Sequence, residues 1–189
     1  MKRIGVLALQ GDFAEHKRAL EQAGAQAFEI RLPRQLDGLD GLIIPGGEST
    51  TLRKLADVYE LMEPLRHFAQ EQPTWGTCAG AILLAREIVG QTPHLGVMDI
   101  TVRRNAFGRQ INSFVTNLEV EGQCYSAVFI RAPLIVSVGS GVDVLATLED
   151  GQIVAAQQGH LLATVFHPEL TDDLRFHRRF IEMTGTTSG

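Results

Sequence analysis

The chain has 189 residues and a mass of 20.7 kDa, with 44% hydrophobic and 21% charged residues. These values are close to the averages for globular proteins and exclude a mainly disordered chain. Lys and Arg number 17 against 22 Asp and Glu, and the net charge of −5 argues against nonspecific binding to nucleic acid or to membrane surfaces. This length predicts one compact domain over residues 1–189.

Cysteine usage and hydropathy predict the compartment. Cys78 and Cys124 are too few for a disulfide framework, and neither lies in a zinc-type pair. The N-terminal apolar run reaches Gln10 and Asp12 within a few residues, without a cleavage site, and no apolar stretch approaches the roughly 18 residues of a membrane span. We therefore expect a reduced, cytoplasmic protein without a membrane segment, and we predict no metal site and no cofactor.

Strands and helices alternate in the first half of the chain. Continuously apolar runs that end at glycine, proline or polar residues are typical of strands buried on both faces, and apolar residues at helical spacing predict the helices. In chain order, the pattern predicts strand 4–9, helix 13–23, strands 27–32 and 41–44, a helix capped by residues 48–51, helix 62–70, strand 74–77 and helix 79–88.

The second half has a different pattern. Short β segments separated by Gly, Asn, Pro and Asp predict antiparallel strands beside the first ones, and an apolar strand and a helix follow. The segments are strands 127–130, 135–138, 153–156 and 161–166, helix 174–183 and a frayed tail at 184–189. The whole pattern predicts an α/β fold with a mostly parallel central sheet flanked by helices, and extra antiparallel strands in the second half.

Several polar residues and glycines follow the predicted parallel strands. Gln10, Gly46–Gly47 and Cys78 each come after a strand, and His167 comes after strand 161–166. Ligands of open α/β sheets bind beyond the carboxyl ends of the strands. If strand 161–166 is also parallel, one rim of the sheet carries a thiol, an imidazole and a Gly-Gly loop.

Residues 76–80, Gly-Thr-Cys-Ala-Gly, have the form Gly-x-nucleophile-x-Gly between a strand and a helix. This sharp turn lifts a nucleophile above the sheet, and glycines are needed where side chains would collide with neighbouring backbone. The helix N-terminus would favour the Cys78 thiolate, and the N–H of Ala79 would face a developing oxyanion. The alternative is a small buried cysteine in an ordinary strand–helix turn.

His167 and Glu169 flank Pro168 and could supply the base and the orienting carboxylate that a cysteine nucleophile needs. Taken alone, this segment is better explained as a strand that ends at a proline turn, with His and Glu solvated. Two ligands without a third at suitable spacing argue against a metal site. The segment 45–50, Pro-Gly-Gly-Glu-Ser-Thr, could be an oxyanion loop or a phosphate-binding turn. It lacks the Gly-Lys-Ser/Thr of a P-loop, and an ordinary turn capped by Ser49 is an equal alternative.

Taken together, the segments at 45–50, 76–80 and 166–169 resemble class I glutamine amidotransferases, whose catalytic centre is a triad. The segments 9–12, 46–51, 104–110, 129–133 and 166–171 further resemble the glutaminase subunits of pyridoxal 5′-phosphate synthase, and the similarity covers nearly the whole chain. The resemblance implies a flavodoxin-like three-layer fold. It also implies hydrolysis of L-glutamine to glutamate and ammonia, with the ammonia channelled to a separate (β/α)₈-barrel synthase subunit that makes pyridoxal 5′-phosphate.

The resemblance assigns roles by position. Cys78 corresponds to the nucleophile, His167 to the general base and acid, and Glu169 to the carboxylate that orients it. Gly47 and Ala79 correspond to the oxyanion hole, and Gln10 is a candidate support for the Gly46–Gly47 loop. The glutamine-binding positions are Gly47, Glu48, Ser49, Arg104, Ile130 and Arg131.

Two rival functions remain open at this stage. The chain could be a glutaminase for a different synthase, or a γ-glutamyl peptidase on the same fold, and the triad alone does not separate these. A noncatalytic binding module is the other rival, but it predicts a broken triad. The arginines at 175, 178 and 179 are expected to form a solvated helix face, and Cys124 is expected to be an inert thiol.

Overall fold

The structure is a computed structural model that describes residues 1–107 and 113–185. Its strands are β1 (Arg3–Leu7), β2 (Gln26–Ile30), β3 (Gly41–Ile44), β4 (Thr74–Thr77), β5 (Ala85–Ile88), β6 (Met98–Arg103), β7 (Ser113–Val120), β8 (Gln123–Ile130), β9 (Leu134–Val138), β10 (Asp143–Thr147), β11 (Ile153–Gln158) and β12 (Leu161–Thr164). Its α-helices are α1 (Phe13–Gln22), α2 (Ser49–Val58), α3 (Met62–Glu71), α4 (Ala79–Leu84) and α5 (Arg175–Met183). Short 3₁₀ turns lie at Pro33–Leu36 and Pro168–Leu170.

Five strands form the parallel half of the central sheet, in the order β2-β1-β3-β4-β12. Every pair in this half is parallel, with Leu42 opposite Thr74 and Ala163 opposite Gly76. Its strands β1, β3, β4 and β12 are buried almost throughout, as expected where helices cover both faces, and all but β4 are mainly hydrophobic. The predicted fold class is confirmed, and β12 is parallel to β4 as the common rim requires.

The remaining strands extend or flank this sheet. β11 pairs antiparallel with β12, β10 and β9, β6 pairs antiparallel with β9, and β5 lies parallel to β6 at the edge. β7 and β8 form a separate antiparallel hairpin of two eight-residue strands. The sequence indicated only the last four residues of β8. Within the described residues, no helix is long and apolar enough to cross a membrane.

Two local predictions were wrong. Helix 79–88 ends at Leu84, and residues 85–88 form β5, because pairing with β6 and burial of Ala85 and Ile88 outweigh a helix-favouring composition. The tail does not fray at Thr184, which is buried and accepts a 2.8 Å hydrogen bond on its carbonyl oxygen from Lys2 Nζ.

Residues 186–189 of the tail and residues 108–110 of the motif at 104–110 lie outside the described residues.

The turn that carries Cys78 is packed backbone against backbone. A Cβ placed on Gly76 would lie 2.4 Å from the carbonyl group of Gly80, and a Cβ on Gly80 would lie 1.9 Å from the carbonyl oxygen of Ile44. Cys78 itself has φ 48° and ψ −104°, an uncommon conformation for a residue with a side chain. The two glycines therefore let α4 approach β3 and β4 closely enough to force this turn.

We expect Gly80→Ala to destabilise the protein by about 1–3 kcal/mol, because the added methyl group must displace the backbone of β3. Urea unfolding, followed by circular dichroism, measures the difference in free energy. Gly141→Ala is the matched control, since a Cβ there meets nothing within 4 Å. Equal unfolding midpoints for the two variants would contradict the close packing described for the turn.

Candidate active site

Cys78 lies at the carboxyl end of β4, immediately before α4. Its backbone N–H donates to the carbonyl oxygen of Thr164 (2.8 Å), and only 5% of the residue is exposed. Ala79 is the first residue of α4, so its N–H has no acceptor within the helix and is available to a ligand. The predicted nucleophile and the predicted oxyanion donor therefore both lie at the carboxyl end of β4, on the rim of the sheet.

His167 follows β12 at the same rim and is buried beside Glu169. Its Nδ1 lies 2.7 Å from Glu169 Oε1, and its backbone N–H donates to the carbonyl oxygen of Val128 (2.8 Å). The imidazole also adjoins Cys78, since a Cβ placed on Gly46 would lie 2.7 Å from His167 Cε1 and 3.3 Å from Cys78 Cβ. Cysteine, histidine and glutamate from distant parts of the chain therefore meet at one point.

Asp12 also contacts His167, and sequence reasoning missed this contact. Its Oδ2 lies 3.3 Å from His167 Nδ1, so Nδ1 faces two carboxylates. Burial lowers the pKa of His167, but hydrogen bonding with Asp12, Cys78 and Glu169 outweighs burial and raises the pKa to about 12. The hydrogen bond with His167 in turn lowers the pKa of Asp12. Its position after β1, on the predicted rim, was the signal that could have identified it.

Asp12, His167 and Glu169 also satisfy a simple test for a metal cluster, with one potential ligand atom each within 4.8 Å of the others. The 2.7 Å separation of His167 Nδ1 and Glu169 Oε1 is a hydrogen-bond length. Two ligands on a tetrahedral zinc ion, with bonds of about 2.0–2.2 Å, would lie about 3.4 Å apart. A shared proton therefore fits this pair better than a metal ion.

The loop at Gly46–Gly47 is held by Gln10. Gln10 Oε1 accepts a hydrogen bond from the backbone N–H of Glu48 (2.9 Å) and lies 2.5 Å from where a Cβ on Gly47 would be. Gly47 has φ 146°, and Gly11 packs so closely on Gly46 that a Cβ would overlap its carbonyl oxygen. The predicted contact between Gln10 and this loop is present, and side chains at these glycines would prevent it.

Glu48 caps α2 and binds Arg104. Its carboxylate accepts from the N–H groups of Thr50 (3.1 Å) and Thr51 (2.8 Å) and from the Thr51 hydroxyl (2.9 Å). Partial burial raises the pKa of Glu48, but these hydrogen bonds outweigh burial and lower it to about 2. Arg104 Nη2 lies 2.9 Å from Glu48 Oε1, so two of the predicted glutamine-binding residues are paired with each other.

A cavity of about 80 Å³ opens at Cys78. This volume is below the roughly 300 Å³ typical of small-molecule pockets, and two of the lining residues, Glu48 and Arg104, form an ion pair with each other. Ile130 does not line the cavity, but its carbonyl oxygen lies 4.0 Å from Cys78 Sγ. The other predicted binding and oxyanion residues all line it: Gly47, Glu48, Ser49, Ala79, Arg104 and Arg131.

A larger cavity of about 530 Å³ lies elsewhere, between α5 and the β7–β8 hairpin. Two of its three arginines are paired rather than simply solvated, since Arg175 binds Asp173 and Arg179 binds Glu121, whereas Arg178 is exposed as predicted. It contains none of the residues predicted for chemistry. Its size reflects a surface groove, and the reactive groups are in the smaller cavity.

The parallel sheet and the Cys-His-Glu cluster at its rim define the class as glutamine amidotransferase-like, and comparison with known proteins agrees. A profile of the SNO glutamine amidotransferase family matches residues 6–186, so the chain belongs to that family. "Pyridoxal 5′-phosphate synthase subunit PdxT" of Geobacillus kaustophilus is 58% identical over 185 residues, which cover 96% of this chain and 94% of that protein. The protein of the same name from Herpetosiphon aurantiacus is 58% identical over 94% of this chain and 98% of its own length. A solved structure described as a glutamine amidotransferase superposes with a TM-score of 0.91 at 53% identity, covering 96% of this chain and 98% of its own.

We expect Asp12→Asn to lower the pKa of His167, because a negative charge beside Nδ1 stabilises the imidazolium and the amide removes that charge. Titration of the His167 ring resonances by NMR in the folded protein measures this change. Asp143→Asn, at the exposed start of β10, is the control and should leave the titration unchanged. An Asp12→Asn titration that superimposes on that of the parent would exclude a role for Asp12 in holding the proton.

Proposed function

We propose that this protein is the glutaminase subunit of a pyridoxal 5′-phosphate synthase. It hydrolyses L-glutamine with a Cys78–His167–Glu169 triad and delivers ammonia to a separate barrel-shaped synthase subunit. The observation that carries the proposal is the buried His167–Glu169 pair, 2.7 Å apart, beside the thiol of the strand–helix turn. Membership of the glutamine amidotransferase family supports the same activity.

Acylation begins with the thiolate of Cys78, which attacks the side-chain amide carbon of glutamine. Negative charge moves to the amide oxygen, where the N–H groups of Ala79 and Gly47 are the proposed donors, and one such donor is worth about 10²–10³ in rate. As the C–N bond breaks, the His167 imidazolium protonates the leaving nitrogen. The products of this half-reaction are ammonia, a γ-glutamyl thioester on Cys78 and a neutral His167.

Deacylation reverses the role of the imidazole. Neutral His167 removes a proton from water, the resulting hydroxide attacks the thioester, and the C–S bond breaks to release glutamate and the thiolate. Glu169 keeps the His167 Nδ1 protonated, so that Nε2 is the atom that exchanges protons in both steps. Within the described residues, this Nε2 has no hydrogen-bond partner.

Recognition of glutamine requires an exchange of ion pairs. The Glu48 carboxylate already accepts four hydrogen bonds, three from α2 and one from Arg104, which fills its acceptor sites. The α-ammonium and α-carboxylate of glutamine can replace this internal pair, with Glu48 binding the former and Arg104 the latter. Ser49, Ile130 and Arg131 line or border the same cavity and complete the proposed pocket.

Activation by the partner subunit is part of the proposal. The Gly46–Gly47 peptide is free of side chains and is restrained by Gln10, whose amide reaches this rim. Docking of a synthase subunit against the rim would align the loop and complete the oxyanion hole. The proposed compartment is the cytoplasm, since a catalytic Cys78 thiol needs a reducing environment.

A γ-glutamyl peptidase would use the same triad on a different substrate. The pairing of Glu48 with Arg104 suits both substrates, because a γ-glutamyl group has the same free α-ammonium and α-carboxylate as glutamine. Glutamate release that is stimulated by a pyridoxal 5′-phosphate synthase barrel, and not by another ammonia-dependent synthase, separates the proposed function from its rivals.

Reconstitution with that barrel subunit tests the division of labour. We expect Cys78→Ala to abolish pyridoxal phosphate formation from glutamine and to leave formation from ammonium salts at the parental rate, because only the glutaminase half needs the thiol. Cys124→Ala, at the exposed second cysteine, is the control and should keep both activities. Loss of both activities in Cys78→Ala, or equal glutaminase turnover with and without the barrel, would contradict the proposal.

The ion-pair exchange predicts that Arg104→Ala raises KM for glutamine about 10- to 100-fold, the worth of a hydrogen bond between charged groups. The rate constant kcat should stay within a few-fold of the parental value, because Arg104 binds the end of glutamine remote from the amide. Arg103→Ala, at the exposed neighbouring residue, is the matched control. Steady-state glutaminase kinetics of the complex give both constants, and an unchanged KM in Arg104→Ala would reject the exchange.

A further inference from the structure

A buried polar cluster lies directly behind the triad, on the side away from Cys78. It contains His16 from α1, Thr77 from the end of β4 and His177 from α5, and all three residues are fully buried. Buried polar side chains are costly unless they are paired. Three of them from separate elements, linked to one another through His16 and to one carboxylate by His16, call for a functional reason.

The cluster contacts the oxygen of Glu169 that the triad leaves unused. Glu169 Oε1 is taken by His167, and Oε2 makes no well-aligned hydrogen bond with the described residues. The nitrogen that faces Oε2 is His16 Nε2, at 3.2 Å. The distance allows a hydrogen bond, and poorly aligned contacts of this kind in ligand-free enzymes often tighten when substrate binds.

The protonation state of His16 follows from its neighbours. Burial, followed by the nearby charges of His177 and His167, lowers the pKa of His16 well below its usual value, so the ring is neutral and carries one proton. If that proton were on Nδ1, an unprotonated Nε2 would lie 3.2 Å from Glu169 Oε2, and two electron-rich atoms without a proton between them repel each other. The proton therefore belongs on Nε2, where both Glu169 Oε2 and Thr77 Oγ1 (3.1 Å) can accept it.

The contact of His177 with the other ring nitrogen of His16 is compatible with this tautomer. Its Nε2 lies 3.0 Å from His16 Nδ1, and because His16 Nδ1 is then an acceptor, His177 must donate. Both rings are wedged against Trp75, with centroids 5.5 Å (His16) and 5.0 Å (His177) from the indole, and the indole N–H is held by Thr164 (3.1 Å). The rings therefore have little freedom to turn away.

We infer that His16 is a positioning residue for the glutaminase triad. Its neutral imidazole donates the Nε2 proton to Glu169 Oε2, and His177 holds the required tautomer by donating to His16 Nδ1. The chain His177, His16, Glu169, His167 then fixes the carboxylate at both oxygens, and through it the plane of the base. Helices α1 and α5 thereby control the alignment of the active site without touching the substrate.

The inference rests on the proposed function and is tested in the reconstituted synthase complex. We expect His16→Leu to lower kcat for glutamine on the order of 10- to 100-fold, the effect of a misplaced catalytic group, while KM stays within about two-fold because the substrate-binding residues are untouched. His16→Gln places an amide donor near the position of Nε2 and should recover most of kcat. His67→Leu, at an exposed histidine of α3, is the control for the loss of an imidazole.

Two controls apply to every variant. Synthesis of pyridoxal phosphate from ammonium salts shows whether the complex assembles, and thermal melting shows whether the variant folds. A kcat of His16→Leu within two-fold of the parent, or equal losses in the Leu and Gln variants, would overturn the inference. If His16→Leu does not fold, His177→Phe and His177→Gln are compared instead. The inference predicts a lower kcat for His177→Phe than for His177→Gln, and equal kcat values for the two variants would overturn it. A parent complex without glutaminase activity would instead refute the proposed function.

Discussion

The carboxylate of Glu169 has no solvent contact, and the arrangement of the active site follows from this constraint. A buried carboxylate is stable only with a positive partner and hydrogen-bond donors. His167 supplies both at 2.7 Å, and Asp12 adds a second negative charge at 3.3 Å, so the imidazole is held as a cation. An imidazolium beside Cys78 stabilises the thiolate, which is the form of cysteine that attacks an amide.

The fold delivers these groups to one point because consecutive parallel strands end on the same edge of the sheet. Asp12, Gly46, Cys78 and His167 follow β1, β3, β4 and β12, which are neighbours or next neighbours in the sheet. Their loops approach more closely than side chains would allow. Gly11 lies against Gly46, and a Cβ on Gly46 would collide with the His167 ring and crowd Cys78.

The sequence predicted the rim and the triad residues well because short, distinctive segments encode them. A glycine-flanked Cys78 after an apolar strand and a His-Pro-Glu segment each carry a local signal. Asp12 carries only a weak signal, its position after a strand, and His16 carries none, since a histidine in an amphipathic helix is ordinary. Tertiary packing brings these side chains to His167 and Glu169. The helix predicted at 79–88 failed for the same reason, because pairing with β6 decides the state of residues 85–88.

The two carboxylates at Nδ1 affect the two half-reactions of the proposed mechanism in opposite directions. In acylation, His167 must give up a proton, and Asp12 and Glu169 both resist this by stabilising the imidazolium. In deacylation, His167 must take a proton from water, and the same charges favour it. The total charge of Cys78, His167, Glu169 and Asp12 is unchanged across acylation, because the thiolate and the imidazolium are neutralised together while neutral ammonia leaves. The carboxylates therefore disfavour the proton transfer from His167 that accompanies the departure of ammonia, and they favour the removal of a proton from water, while the net charge of the site stays the same through acylation. The leaving nitrogen draws the proton from His167 against this effect, because its basicity rises as its bond to carbon breaks.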